Sequence, residues 1–86
     1  MLSQYLEAAM EAAQFEFIED PEPFYGHVLA LPGVWATGKT LAECRRNLAA
    51  ALEDWIVFSL ARGMPLPEVG GVRIDLPVRL SSYDPA

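Results

Sequence analysis

The sequence predicts an α+β fold in a single domain spanning residues 1–86, and three patterns lead to this prediction. Apolar residues recur at steps of three and four near the N-terminus and again over residues 41–62, as in amphipathic helices. Between these segments, aromatic and β-branched runs alternate with proline and glycine turns, as in antiparallel strands. A strictly alternating run over residues 72–80 predicts one further C-terminal strand. Hydrophobic residues make up 52% of the chain, which excludes intrinsic disorder.

The N-terminal helix is predicted over residues 1–13, with Ser3 as its N-cap. Glutamates occupy one side of this helix, and the other side is apolar: Leu2, Tyr5, Leu6, Ala9, Met10 and Ala13. Residues 14–80 are expected to hold the sheet and the long helix, and residues 81–86 form a polar tail.

Three short strands are predicted in succession. The first covers residues 15–19 and ends at a turn over residues 20–23, whose two prolines cannot continue a ladder. The second covers residues 25–31, and a Leu-Pro-Gly turn leads to the third over residues 34–37. Strands joined in sequence by short turns usually pair as an antiparallel meander.

The long helix has clear start and stop signals. Thr40 and Glu43 form a capping box, and the helix is predicted to run to Arg62 and to end at Gly63. The helical period predicts the side that packs on the sheet: Leu41, Cys44, Leu48, Ala51, Leu52 and Trp55.

Two large apolar residues of this helix fall on the opposite side. Val57 and Leu60 project with Arg46 and Glu53, which indicate solvent. Because small proteins rarely expose such groups together, we expect Val57 and Leu60 to form a homo-oligomer interface, in a dimer or a larger assembly. The alternative is that this half of the helix packs into another part of the same chain.

The charge distribution is uneven. The net charge is −6, and residues 1–38 contain no Lys or Arg. Because phosphate backbones require clustered basic residues, we expect no direct nucleic-acid binding. An acidic N-terminal half suits a basic protein partner, whereas the alternative is a solvated surface that aids solubility. Cys44 is the single cysteine and no apolar run is long enough to cross a membrane, so we expect a cytoplasmic protein.

Residues suited to catalysis are few. His27 is the only histidine, and it lies in a predicted strand where a structural role is expected. Without a second histidine or a cysteine cluster we expect no metal site, and we expect no other cofactor. No serine lies in a G-x-S-x-G setting, and no glycine-rich phosphate loop occurs. The sequence therefore predicts that the chain is not an enzyme.

A series of turn, cap and helix landmarks runs from Leu31-Pro32-Gly33 through the segment 37–43 to Asn47, Trp55 and the later Gly63-x-Pro65. This series resembles the HicB-type antitoxin domain. Each landmark also has a structural reason, because glycines permit turns, the cap starts the helix and the tryptophan fills the core. The structural landmarks are Pro32, Gly33, Gly38, Thr40, Glu43 and Trp55.

The resemblance implies a partial RNase H-like fold and a protein partner. That partner is a small basic HicA-type toxin that cleaves mRNA and that HicB-type proteins block. Many HicB-type proteins continue into a DNA-binding module, and we expect none here. We therefore predict an antitoxin-like domain that occludes the toxin. The expected contact region is Tyr25 with the acidic group beside it: Glu16, Glu19, Asp20 and Glu22. The alternatives are a stand-alone oligomeric scaffold or regulatory domain, and a hydrolase relative that uses Mg²⁺ or Mn²⁺.

Overall fold

The computed structural model of the chain describes residues 2–71. Within them lie an N-terminal helix, three antiparallel strands and a long helix, so the predicted α+β fold is confirmed over this range. In chain order the elements are α1 (Leu2–Glu11), β1 (Gln14–Phe17), β2 (Phe24–His27), β3 (Trp35–Gly38) and α2 (Leu41–Ala61). The strand predicted over residues 72–80 and the tail over residues 81–86 lie outside the described residues.

The strands form one sheet in the order β1-β2-β3, which is the predicted antiparallel meander. Phe15 pairs with Gly26 across the first two strands, and Gly26 pairs with Ala36 across the last two. Both β1 and β2 are four residues long and therefore shorter than predicted. β2 ends early because residues 28–34 close consecutive turns instead of extending the ladder.

α1 packs through Tyr5 and Ala9, which are both fully buried. The Tyr5 hydroxyl donates to the Pro67 carbonyl at 2.5 Å and so ties the helix to the segment that follows α2. Burial raises the pKa of the Tyr5 hydroxyl above its usual value. The helix already includes Leu2, so Ser3 lies inside the first turn and its prediction as the N-cap is wrong.

The start of α2 is fixed by the side chains of the cap residue Thr40 and of Glu43 in the first turn. Thr40 has an extended backbone, and its Oγ1 accepts the Glu43 amide N–H at 3.0 Å. The Glu43 carboxylate accepts the Lys39 amide N–H at 3.1 Å. The reciprocal bond therefore reaches the residue before the cap, one position earlier than the capping box predicted.

The end of α2 is a left-handed turn at Gly63, which has a φ of 70°. The Gly63 amide donates to the Leu60 carbonyl at 3.1 Å, and the Met64 amide donates to the Ser59 carbonyl at 2.8 Å. These two bonds make a Schellman motif, which satisfies carbonyls that the helix end would otherwise leave unpaired. Neither described helix combines the length and apolar character needed to cross a bilayer.

The buried side of α2 follows steps of four more closely than predicted. Leu41 is 46% exposed, and Trp55 and Ala51 are only partly buried at the edge of the core. Residues four apart differ by roughly 40° around the helix, so a row at steps of four winds slowly around it. Because α2 crosses the sheet along this row, the residues that face the sheet shift away from the predicted side toward the C-terminal half. The buried row is Cys44, Leu48, Leu52, Ile56 and Ser59.

Alternation along the strands gives the sheet two faces. The helix face, against which α2 packs, carries glycine at two close contacts. A Cβ on Gly38 would lie 2.5 Å from the Cys44 backbone nitrogen, and one on Gly26 would lie 2.6 Å from the Phe15 ring. At Gly38 only glycine therefore lets α2 approach at this distance. The opposite side, called the open face below, carries Gln14, Glu16, Tyr25, His27, Trp35 and Thr37.

Candidate functional site: the acidic hairpin and the open face

The hairpin that joins β1 to β2 holds carboxylates in solvent at its tip. The Ile18 amide donates to the Pro23 carbonyl at 2.7 Å and closes the loop. Within it, the Asp20 carboxylate accepts the Glu22 amide N–H at 3.0 Å, a local turn that aspartate favours. Glu19 and Asp20 are exposed. A short, hydrogen-bonded loop thus presents two adjacent negative charges.

Glu22 is engaged inside the protein, which the sequence did not indicate. The Thr37 hydroxyl donates to Glu22 Oε1 at 2.5 Å. The Thr37 carbonyl in turn accepts from the Asn47 side-chain amide at 2.8 Å. A chain of hydrogen bonds therefore connects the hairpin through β3 to α2. Glu22 holds the hairpin in position, in addition to contributing charge to the predicted contact region.

Glu16 lies on the open face with its side chain 58% exposed. One of its carboxylate oxygens lies 3.4 Å from His27 Nε2. This nitrogen is buried and the contact lacks the alignment of a hydrogen bond, so Nε2 has no hydrogen-bond partner. The Glu16 carboxylate therefore lies beside the His27 ring without a hydrogen bond to it.

Aromatic rings fill the rest of the open face. Tyr25 is half-buried and lies 6.1 Å from the Trp35 ring at an interplanar angle of 28°. Tyr25 also lies 5.4 Å from the His27 ring. Sequence reasoning proposed Tyr25 alone and missed its two neighbours. The missing signal was the alternation along β2 and β3, which places all three residues on one face.

The predicted contact residues thus divide into two adjoining groups. Glu16 and Tyr25 lie side by side on the open face as cross-strand partners. Glu19 and Asp20 lie at the hairpin tip, and Glu22 links the tip to β3. Carboxylates and aromatic rings are both groups that attract cations. This arrangement suits the recognition of a positively charged partner.

The apolar pair predicted for an oligomer interface is placed differently from the expectation. Val57 is 65% exposed, but Leu60 is partly buried and packs against the core. The expectation that Leu60 projects into solvent is corrected, because Leu60 lies at the margin of the buried row. Phe58, which the sequence analysis overlooked, is 51% exposed, and the Arg62 guanidinium lies 4.8 Å from its ring centre.

Comparison with known proteins places the chain in a family. A model of the UPF0150-like family matches residues 4–67, which is more than half of the chain. The chain belongs to the UPF0150-like family. This is a small antitoxin-like family. The chain is also similar to the solved structure of TTHA0281 from Thermus thermophilus, with 59% identity and a TM-score of 0.86 over 88% of this chain and 94% of that chain. None of the curated proteins matches it.

In this UPF0150-like chain the landmark residues lie at turns, helix ends and the core margin. Gly33 has a φ of 95°, a conformation that favours glycine, directly after the exposed Pro32. Gly38 permits the close contact with α2, and Trp55 packs partly buried against the core. Together with the cap formed by Thr40 and Glu43, these residues position the strands and α2.

No cluster suited to metal binding is gathered within residues 2–71. No three side chains of His, Cys, Asp or Glu approach one another there as metal ligands would. Among the acidic residues of α2, Glu43 is held by the Lys39 amide, while Glu53 and Asp54 are exposed. The exposed carboxylates and aromatic rings described above lie at the hairpin and on the open face.

Proposed function

We propose that this UPF0150-like chain is an antitoxin-like, non-catalytic domain that neutralises a small basic HicA-type mRNA-cleaving toxin by occluding it. The observation that carries the proposal is the hairpin tip, where Glu19 and Asp20 are exposed beside Glu16 on the open face. Membership in a small antitoxin-like family supports the same role. The motif around Pro32, Gly33 and Gly38, which resembles the HicB-type domain, supports the choice of toxin.

The charge distribution explains how the two proteins would find each other. Residues 1–38 carry no Lys or Arg, so no basic side chain of that segment offsets the hairpin carboxylates. Exposed opposite charges accelerate diffusional encounter and orient the partners before close contact. The same negative potential repels RNA and DNA phosphates, so the chain acts by covering the toxin and not by competing for nucleic acid. We place this action in the cytoplasm, where the buried free thiol of Cys44 stays reduced.

The test is a charge reversal confined to the hairpin tip. Glu19→Lys together with Asp20→Lys should slow association with the toxin by about 10-fold at low salt and flatten its dependence on salt concentration. Glu22 is left unchanged because it bonds to Thr37. The measurement is stopped-flow association with a catalytically inactive HicA-type toxin.

The matched control reverses two exposed carboxylates of α2, Glu53→Lys with Asp54→Lys, and changes the net charge equally. This control should retain most of the wild-type association rate. Equal slowing by both double variants would mean that only net charge matters, and the hairpin would lose its assigned role. A wild-type chain that neither binds the toxin nor protects mRNA from it would refute the proposed function.

A second candidate function is a self-associating scaffold, favoured by the exposed apolar surface at the end of α2. Val57 and Phe58 are 65% and 51% exposed, and Met64 is 42% exposed. Val57→Glu with Phe58→Glu should yield a folded monomer from an oligomeric wild type, as measured by sedimentation and far-UV circular dichroism. Leu60 stays unchanged because it packs on the core. A wild-type chain that sediments as a monomer discards this candidate.

A further inference from the structure

The open face exposes aromatic surface that no described element covers. The Tyr25 and Trp35 rings are stacked, with centroids 6.1 Å apart and planes 28° from parallel, and they form a ring pair, called the ledge below, across β2 and β3. Trp35 is 55% exposed, although large aromatic side chains ordinarily contribute to stability through burial. A ring left in water on a small domain contributes little to packing, so a binding role accounts for it better.

A carboxylate borders this ledge. Glu16 is the direct cross-strand partner of Tyr25, so the two side chains stand next to each other on the open face. The Glu16 side chain is 58% exposed, and its 3.4 Å contact with His27 lacks hydrogen-bond alignment. The carboxylate is therefore able to turn toward a cation that lies above the rings.

Two arginines of this chain, Arg45 and Arg62, lie against aromatic rings away from the open face. The Arg45 guanidinium lies 5.6 Å from the centre of the Phe15 ring, and the Arg62 guanidinium lies 4.8 Å from that of Phe58. Phe15 belongs to the helix face and Phe58 to α2, so neither arginine neutralises the open face. In both contacts the chain pairs a guanidinium with an aromatic face, which is the chemistry that the open face offers to a partner.

We infer that the open face receives an arginine side chain of the partner, with its guanidinium packed against the exposed Trp35 side of this ring pair and hydrogen-bonded to Glu16. The inference rests on the proposed function, in which the partner is a basic protein, and it names the recognition chemistry. Arginine fits better than lysine because its planar, weakly hydrated head stacks on a ring and donates to a carboxylate at the same time. Trp35 is then the main specificity-determining residue.

The test uses a probe that does not require the toxin. An acetylated, amidated Gly-Arg-Gly tripeptide is titrated into the ¹⁵N-labelled chain, and the two indole N–H resonances, from Trp35 and Trp55, are followed by NMR. We expect a saturable shift of the Trp35 signal with Trp55 unmoved. The arginine tripeptide should bind about 3-fold tighter than its lysine counterpart, in line with a cation–π contact at an exposed site, and the neutral citrulline counterpart should cause no shift.

Two substitutions and one control locate the site. Glu16→Gln should weaken tripeptide binding about 3-fold, whereas Glu53→Gln on the exposed side of α2 should leave it unchanged. Trp35→Leu keeps an apolar side chain but removes the ring, so it should weaken toxin binding with little change in circular dichroism. Equal binding of the arginine and citrulline tripeptides would overturn the inference. A Trp35 indole resonance that moves with protein concentration in the absence of peptide would also overturn it, because a second copy of the chain would then occupy the open face.

The inference and the proposed function fail in different ways. If the toxin does not bind but the arginine tripeptide shifts Trp35, the proposed function is lost and the arginine site stands. If the toxin binds with the same affinity to the wild type and to Trp35→Leu, the antitoxin role stands and the arginine site is refuted.

Discussion

The two faces of the sheet are built from the same three strands and are used in opposite ways. On the helix face the register aligns Phe15, Gly26 and Ala36, and the small residues let α2 approach. On the open face the neighbouring row aligns Glu16, Tyr25 and Thr37. Residues that alternate along one strand thus pack against α2 on one side and, under the proposed function, contact the partner on the other.

From this difference we expect stability and binding to be separable in this chain. Substitutions on the helix face and on the buried side of α2 should lower the free energy of unfolding. They should weaken partner binding only to the extent that they unfold the chain. Substitutions on the open face should change binding with little effect on stability. The following predictions test this separation.

The largest effect is expected where α2 meets the sheet. Leu48 is fully buried, so Leu48→Ala should lower the free energy of unfolding by about 3 kcal/mol through lost burial and the cavity left behind. Leu41→Ala makes the same chemical change on the same helix at a residue that is 46% exposed, and it should cost less than about 1 kcal/mol. Urea denaturation of both variants checks the pair. Similar losses would mean that α2 does not pack along the row described.

A smaller loss is expected from a single methyl group on the helix face. The Cβ of Gly38→Ala would lie 2.5 Å from the Cys44 backbone nitrogen, so α2 must move and we expect a loss of about 2 kcal/mol. Gly26→Ala should cost less, because its Cβ meets the Phe15 ring, a side chain that is able to rotate away. Thermal unfolding monitored by circular dichroism ranks the two. A Gly38→Ala protein as stable as the wild type would refute the close approach of α2.

The sequence predicted the elements whose signals are local. The proline turn after β1, the cap at Thr40 and the stop at Gly63 each depend on a few adjacent residues with a defined conformational preference. The inner side of α2 was predicted less well, because the orientation of a helix on a sheet decides which neighbouring row is buried. Leu41 was therefore assigned to the buried side although it is exposed, and the buried Ile56 was missed.

The candidate site was harder to predict because strand alternation does not say which face is covered. Both rows contain aromatic residues, and only the glycines at Gly26 and Gly38 mark the covered side. Trp35 was missed because a tryptophan in a small domain is expected inside. The acidic hairpin was found because its charges are adjacent in sequence, but the bond between Glu22 and Thr37 joins residues 15 positions apart.

The smallest effect concerns the thiol at the contact between α2 and the helix face. Cys44 is fully buried and its Sγ lies 3.6 Å from the Ala36 carbonyl oxygen. Burial raises the pKa of the Cys44 thiol above its usual value of 9.0. The folded chain therefore keeps this proton to higher pH than the unfolded chain does. It follows that the free energy of unfolding falls as the pH rises above 9.0, until the folded thiol itself ionises.

Urea unfolding of the wild type and of Cys44→Ala between about pH 7 and about pH 10 isolates this contribution. The wild type should lose more stability than the variant across the alkaline part of the range. Tyr5, whose pKa is also raised by burial, contributes to both proteins and cancels in the difference. A constant difference between the two curves would mean that water reaches the thiol in the folded state. The helix face would then be packed less tightly against α2 than the close contacts at its glycines indicate, and the difference in burial between the two faces would be smaller.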